Sequence, residues 1–488
     1  MKNTEAYFVC YVLSIFHVVS ATNQLILISF DGFRHDYLQK TKLPNIEGIA
    51  DNGVKAPYIV STFTTKTLVN HFTSVTGVSA ETHGIMNNVF YDKTLKRDLS
   101  AKDALFWQWG IGTITPIWSA NEAIPGKYSG SSMWPGSTFV DRPTYDIPFN
   151  LSIPWKDRID TALKWIVNEE KPAAFVSLYF EEPDMTAHLY GPDSKEVVDM
   201  LHTVDNTTGY ILQRLTEMNL IDDFNVIITS DHGFTSVNSE KMINISAIVS
   251  TDSCTFHGDT PVMHVLPKEG LEEYVYNRFK KASASQNFTV YLNTELPKEW
   301  GYSNPDRTLP IVLVADEGYV FDDFDKTMDW MESAYNRTKS PKTTYGNHGY
   351  DPRLSSMHPF FVAQGPQFKS NFIGKPFHIV DMYEMMCRLL GISEVPFNEG
   401  KLERVEEYLL ISHSIPWYED SILIGFGVLV ALAFIASVFL LLWISCSVKR
   451  SKVTIRVKSP SPRRKVPDDT KERWETEGLL YFNKFEEV

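Results

Sequence analysis

The sequence predicts an α/β fold in which a mostly parallel sheet is sandwiched by helices. Three observations predict it. The chain has 488 residues, 43% of them hydrophobic and 22% charged, enough for a large core. Short apolar runs of strand length recur along it. Helical patterns, such as 156–169 and 194–218, separate many of these runs. Buried strands alternating with helices indicate a parallel sheet covered on both faces. No internal repeat and no linker rich in Pro, Gly or Ser breaks residues 22–400, so one large domain is expected there.

The runs read as strands are "QLILISF" (24–30), "AAFVSLYF" (173–180), "FNVIITS" (224–230), "PVMHVLP" (261–267), "PIVLVAD" (310–316) and "HPFFVAQG" (358–365). In open α/β sheets, ligands bind beyond the carboxyl ends of the strands. Asp31 follows the first run, and Asp184 and His188 follow the second in "EEPDMTAHLYGP". Asp231 and His232 follow the third, and His348 precedes the last in "GNHGYD". Singly, each has an ordinary explanation: a turn, a cap or a surface histidine. Together they are a ligand set. Histidine nitrogen and carboxylate oxygen bind zinc, and six such residues supply two metals with three ligands each. Two adjacent metals can clamp the attacking and leaving oxygens of a phosphoryl transfer.

The stretch "TFTTKTLVNH" (62–71) places hydroxyl groups around Lys66 just before an apolar helical run. As an isolated stretch it reads as a helix start. Its N-terminus would favour a phosphate.

The two ends carry targeting signals. "MKNTEAYFVCYVLSIFHVVSA" reads as a signal peptide over residues 1–21, cut after Ala21. Residues 421–448 contain no charge and are long enough to span a bilayer as a helix. Lys449, Arg450, Lys452, Arg456 and Lys458 follow, which places the tail (449–488) inside the cell. The expected product is a single-pass type I protein of the plasma membrane. Its outer domain spans 22–400, followed by a juxtamembrane linker over 401–420. N-glycosylation acceptors at Asn150, Asn206, Asn244, Asn287 and Asn336 all fall in the outer domain. Cys254 and Cys387 read as buried thiols, with a single bridge between them as the alternative. The net charge of −14 speaks against nucleic acid as a partner. "ETEGLL" (475–480) fits an acidic dileucine signal for a sorting adaptor.

The motifs "LISFDGFRHDYL", "TTKTLVNHFTSVTG", "ETHGIMNNVFYD", "TPIWSANE", "SSMWPGS", "YFEEPDMTAHLYGPDS", "IITSDHGF", "VADEGY" and "GNHGYDPRLSSMHPFFVAQGP" occur in that order over residues 24–400. In these the chain resembles the ectonucleotide pyrophosphatase/phosphodiesterases of the alkaline phosphatase superfamily. Its size and ends look most like the fourth and fifth members. The resemblance implies an alkaline-phosphatase-like fold and two zinc ions per catalytic domain. It implies Asp184, His188 and His348 at the first zinc, with Asp31, Asp231 and His232 at the second. It makes Thr67 the metal-bound nucleophile and Asn88 the donor to a phosphoryl oxygen. Leu68 stands where the family has an aromatic residue against the nucleobase, and Phe149 matches the opposite wall. Lys66 is counted with the substrate contacts in a supporting electrostatic role, with a solvated lysine as the alternative.

The expected substrate is a small phosphodiester, a nucleotide such as a dinucleoside polyphosphate. A phosphomonoesterase would need a further cation for its extra charged oxygen, and no arginine lies in the "TTKTLVNH" or "HGIMNN" stretches. A choline-lipid phosphodiesterase on the same scaffold and a catalytically weak adhesion or signalling protein are the other readings.

Overall fold

The computed structural model describes residues 23–108, 112–304, 306–335, 340 and 343–410, together with helical positions between 430 and 443. The chain divides into two units, 1–411 and 412–488. The signal segment, the tail, Asn336 and most of 421–448 lie outside the described residues. Among the described residues, no helix is long and apolar enough to cross a membrane.

In chain order the strands of the two larger sheets are β1 (Leu25–Phe30), β2 (Val54–Ala56), β3 (Tyr128–Ser132), β4 (Tyr145–Ile147), β5 (Ala173–Phe180) and β6 (Asn225–Thr229). They continue with β7 (Cys254–Asp259), β8 (Val262–Pro267), β9 (Phe288–Leu292), β10 (Ile311–Ala315), β11 (Phe361–Gln364) and β12 (Phe372–Ile373). The main sheet has eight strands in the order β12-β2-β11-β6-β1-β5-β3-β4. At its centre β1 runs parallel to both β5 and β6. β11 is antiparallel to β2 and β6, so the sheet is mixed.

Successive residues of a strand point to opposite faces. Leu25 and Leu27 enter one core, while Ile26, Ile28 and Phe30 enter the other. Each such side chain contributes about 1.5–3 kcal/mol when fully buried. Helices α1 (Pro44–Asn52), α2 (Thr67–Thr76), α3 (Trp155–Ile166), α4 (Asp184–Tyr190), α5 (Lys195–Glu217), α6 (Phe324–Tyr335) and α7 (Asp381–Leu390) supply much of the covering layers. α2 and α7 pack on the first face through residues such as Phe72 and Met386. α1, α3 and α5 pack on the second through Ile46, Leu163 and Leu201. Ser194 caps α5 by accepting the Val197 N–H.

Two of the six predicted strands belong elsewhere. β8 and β10 form a four-stranded antiparallel sheet with β7 and β9, in the order β7-β8-β10-β9. Only Thr260 and Pro261 separate β7 from β8. A parallel crossover needs a dozen or more residues, so this link permits only an antiparallel return. The small sheet has its own core, which includes Cys254, Phe279 and Leu313.

The packed unit also runs past residue 400. Tyr408 is buried and meets Phe361 and Phe377 at ring-centroid distances of 5.9 and 5.5 Å. Residues 401–410 therefore belong to the globular unit, which shortens the linker expected at 401–420. Cys254 and Cys387 are free, buried thiols, so the bridge drawn as the alternative does not form. Asn150, Asn206, Asn244 and Asn287 are exposed.

Candidate active site

The three central strands deliver the polar cluster. Asp31 directly follows β1, and its backbone N–H donates to the Phe180 carbonyl at the end of β5 (2.9 Å). The Asp184 N–H in turn donates to the Asp31 carbonyl (3.0 Å), which ties α4 to the end of β1. Gly32 makes this approach possible. A Cβ there would lie 2.9 Å from the Asp184 Cα, and its φ of +69° favours glycine. Asp231 and His232 follow β6. His348 follows a short strand, Tyr345–Asn347, paired antiparallel with Thr235–Val237 just beyond His232.

The predicted metal ligands fall in overlapping groups, and Asp231 groups with Asp31 and His71 rather than with Asp31 and His232. Asp184, His188 and His348 bring one ligand atom each to within 4.8 Å of one another, as do Asp31, Asp184 and His232. His232 Nε2 lies 3.4 Å from Asp31 Oδ1 and 3.0 Å from Asp231 Oδ2. Asp184 links the two halves, because its Oδ1 is 3.6 Å from His348 Nε2 and 4.0 Å from His232 Nε2.

The histidines are locked by their other nitrogens. His188 Nδ1 donates to the Gly346 carbonyl (3.0 Å), His232 Nδ1 to Gly233 (3.0 Å) and His348 Nδ1 to Thr65 (2.8 Å). Each Nε2 is thereby left as an acceptor facing the site. Burial holds His188 neutral, with its pKa pushed down to about 3, and lowers His348 well below the ordinary range.

The carboxylates are crowded. Burial, then the charges of Asp231 and Asp184, raises Asp31 well above the usual range. Burial, then Asp231 and Glu182, does the same to Asp184. Burial also pushes Asp231 upward, but His232 and His71 outweigh it and hold that carboxyl well below. Asp31 Oδ1, Asp184 Oδ1 and Asp231 Oδ2 are buried without a hydrogen-bond partner among the described residues. An uncompensated buried charge costs several kcal/mol. Three such oxygens facing three acceptor nitrogens are a site built for cations.

Thr67 is the first residue of α2, and its hydroxyl lies 3.3 Å from His232 Nε2, to which it donates. Asn88 Oδ1 accepts the Leu68 N–H (3.0 Å), which leaves the amide NH₂ of Asn88 as a donor beside Thr67. Thr67, Leu68 and Asn88 line a cavity of ≈ 560 Å³ with Phe149, Tyr179, Trp107 and Trp134, and Asp31 and Asp184 also contribute to its wall. Phe149 is 62% exposed and Leu68 half-buried, so both can meet a ligand. Lys66 does not line this cavity. Its ammonium is buried against Asp259 (2.8 Å) and the Thr260 carbonyl (2.8 Å). Its influence on the cluster is electrostatic, lowering Asp184 against the larger upward causes.

Two buried residues of the site escaped the sequence reading. Tyr179 donates its hydroxyl to Asp31 Oδ2 (2.6 Å). His71 is flanked by the Ser29 hydroxyl at Nε2 (2.8 Å) and by the Thr67 carbonyl at Nδ1 (2.9 Å), with Asp231 Oδ2 3.3 Å away. With its Nδ1 proton committed to that carbonyl, His71 positions Thr67 and Asp231. The signal was present: His71 is four residues after Thr67, on the same helix face.

This fold and site define an alkaline-phosphatase-like α/β protein with an aspartate–histidine centre beside a threonine at a helix start. Residues 25–351 match the model of the type I phosphodiesterase / nucleotide pyrophosphatase family, and the chain belongs to that family of hydrolases. Human bis(5'-adenosyl)-triphosphatase is 37% identical over 382 residues, which cover 77% of this chain and 80% of the relative. Human ectonucleotide pyrophosphatase/phosphodiesterase family member 5 is 35% identical over 411 residues, covering 82% and 81%. The solved murine ectonucleotide pyrophosphatase/phosphodiesterase 5 superposes with a TM-score of 0.71 at 36% identity, covering 79% of this chain and 100% of that one. An inactive threonine-to-alanine form of the same murine protein, solved in complex with AMP, gives the same values.

Proposed function

We propose that this protein hydrolyses phosphodiester or pyrophosphate bonds of extracellular nucleotides, dinucleoside polyphosphates among them, through a phospho-threonine intermediate. The observation that carries the reading is a threonine hydroxyl, Thr67, against a cluster of three histidines and three carboxylate oxygens that have no hydrogen-bond partner among the described residues. Asp184, His188 and His348 would hold one zinc ion, and Asp31, Asp231, His232 and Thr67 the other. Bound there, the ions would supply the Lewis acidity that makes a threonine hydroxyl, and then water, nucleophilic at neutral pH. Thr67 Oγ1 forms a bond to phosphorus as the bond to the leaving group breaks, and water then cleaves the ester on Thr67. Asn88 donates to a phosphoryl oxygen. Leu68 and Phe149 flank the base. The murine AMP complex and its inactive threonine variant support both the nucleotide and the threonine, and the human relative's name supports a dinucleoside polyphosphate.

The direct test is a panel of a dinucleoside polyphosphate, a nucleoside triphosphate, a choline phospholipid and a phosphomonoester, offered to the purified outer domain with zinc. Turnover of the first two above the others is expected. Preference for the choline lipid would overturn the substrate assignment.

Leu68→Phe tests the base pocket. An aromatic face adds stacking worth roughly 0.5–1.5 kcal/mol, so KM for a nucleotide should fall about 2- to 13-fold. The wall serves ground state and transition state alike, so kcat should hold. A small aryl phosphodiester without a base should not respond. An unchanged nucleotide KM in the folded variant would remove Leu68 from the pocket.

We further infer a type I plasma-membrane topology, with the outer domain glycosylated, residues 421–448 spanning the bilayer and the tail inside, open to a sorting adaptor. Protease added to intact cells should release a glycosidase-sensitive fragment ending near residue 420 and leave tail epitopes protected. Surface labelling of the tail on unbroken cells would refute this.

A further inference from the structure

The turn that joins β7 to β8 reaches the active site without lining its cavity. Asp259 ends β7, and Thr260 follows it. Neither lines the cavity that holds Thr67. Lys66, the residue before Thr67, donates from its ammonium to Asp259 Oδ2 and to the Thr260 carbonyl, both at 2.8 Å. Asn87, the residue before Asn88, donates its amide to the Asp259 carbonyl at a longer 3.4 Å. Its Oδ1 accepts the Asn88 N–H (2.8 Å). Asn347, the residue before His348, donates to the Thr260 carbonyl at 3.5 Å. One turn thus touches the residues just ahead of Thr67, Asn88 and His348. Lys66, Asn87, Thr260 and Asn347 are each no more than 4% exposed.

The turn is itself pinned. The Thr260 N–H donates to Asp323 Oδ2 (2.9 Å), and Thr260 Oγ1 accepts the Phe321 N–H (2.8 Å). The path of the lysine is set by Gly349, where a Cβ would lie 2.5 Å from Lys66 Cε. An ammonium enclosed in this way holds its carboxylate, because breaking such a pair leaves a charge uncompensated. We propose that Asp259 and Thr260 are positioning residues, and that through Lys66 they set where the Thr67 hydroxyl stands. The small antiparallel sheet is then a strut for the nucleophile borne by the main sheet's layer. The inference rests on Thr67 as the nucleophile. A reacting group displaced by about 1 Å costs on the order of 100-fold in rate.

Three variants test the strut on thymidine 5′-(4-nitrophenyl phosphate) with zinc in excess, well below each melting temperature. Lys66→Met keeps the stem and removes the ammonium. Asp259→Asn keeps the shape and removes the charge. The third variant combines them. Lys66→Met should lower kcat roughly 10- to 100-fold, and Asp259→Asn about tenfold, with KM within about twofold of wild type. A purely structural role would lower the melting temperature and leave kcat in place. The double variant should match Lys66→Met within about twofold, because the Asp259 carboxylate acts on turnover only through Lys66. A kcat within about twofold of wild type in folded Lys66→Met overturns the proposal. So does a raised KM with kcat held, which would make Lys66 a substrate contact. Losses that multiply in the double variant also overturn it. Should Asp259→Asn not fold, Lys66→Met alone decides. Thr67→Ala is run alongside. Loss of turnover there upholds the nucleophile, so an unmoved kcat in Lys66→Met then counts against the strut alone. Turnover persisting in Thr67→Ala counts against both.

Discussion

Thr67→Ala is expected to lose turnover of a nucleotide phosphodiester by on the order of 10³-fold or more. The substitution removes only the attacking oxygen and one methyl group. The backbone of residue 67 keeps its bond to His71 Nδ1, because that bond uses the carbonyl. Residue 67 is half-buried at the first position of α2, where alanine is a good helix former. Asp31, Asp231 and His232 remain to hold the ion that Thr67 would also contact, so the melting temperature and the zinc content should stay near wild type. Thr67→Ser keeps the oxygen and should retain part of the activity. Kinetics, calorimetry and metal analysis of the three proteins together make the check. Equal turnover in Thr67→Ala and wild type would end the covalent account.

Asp231→Ala should cost both metal and activity. Asp231 Oδ1 accepts the Gly32 N–H (3.1 Å), and Oδ2 lies between His232 Nε2 (3.0 Å) and His71 Nδ1 (3.3 Å). Alanine removes an anionic ligand and leaves the Gly32 N–H unpaired. Loss of an outer-shell partner alone costs about 10- to 100-fold in metal affinity or activity, so a lost ligand should exceed that. Zinc per protein should fall toward one, with turnover down by on the order of 100-fold or more. Asp231→Asn keeps the shape and one acceptor oxygen and should fall between the two. Two zinc ions and full turnover in Asp231→Ala would contradict the ligand assignment.

What the sequence revealed follows the range of its interactions. Asp31, Asp184, Asp231 and His232 were legible because each sits just beyond a strongly apolar strand, and strand ends are local features. Which carboxylate faces which histidine was not, since Asp31 meets His232 across two separate strand ends. Lys66 shows the same limit: its partner Asp259 is 193 residues away, and nothing in "TTKTLVNH" announces it. β8 and β10 have the apolar character of central strands, but the two-residue link before β8 places it in the antiparallel sheet, and apolar character alone does not carry that information. Tyr179 is one of eight buried residues in an unbroken apolar strand, and nothing in that run distinguishes the hydroxyl that donates to Asp31.

The central claim is a two-step displacement at Thr67, and the stereochemistry at phosphorus tests it most directly. A nucleoside 5′-phosphorothioate aryl ester of known configuration is hydrolysed in ¹⁸O-labelled water, and the configuration of the product is determined. Attack by Thr67 followed by attack of water inverts phosphorus twice, so net retention is predicted. Net inversion would mean that water displaces the leaving group directly, and would contradict the account.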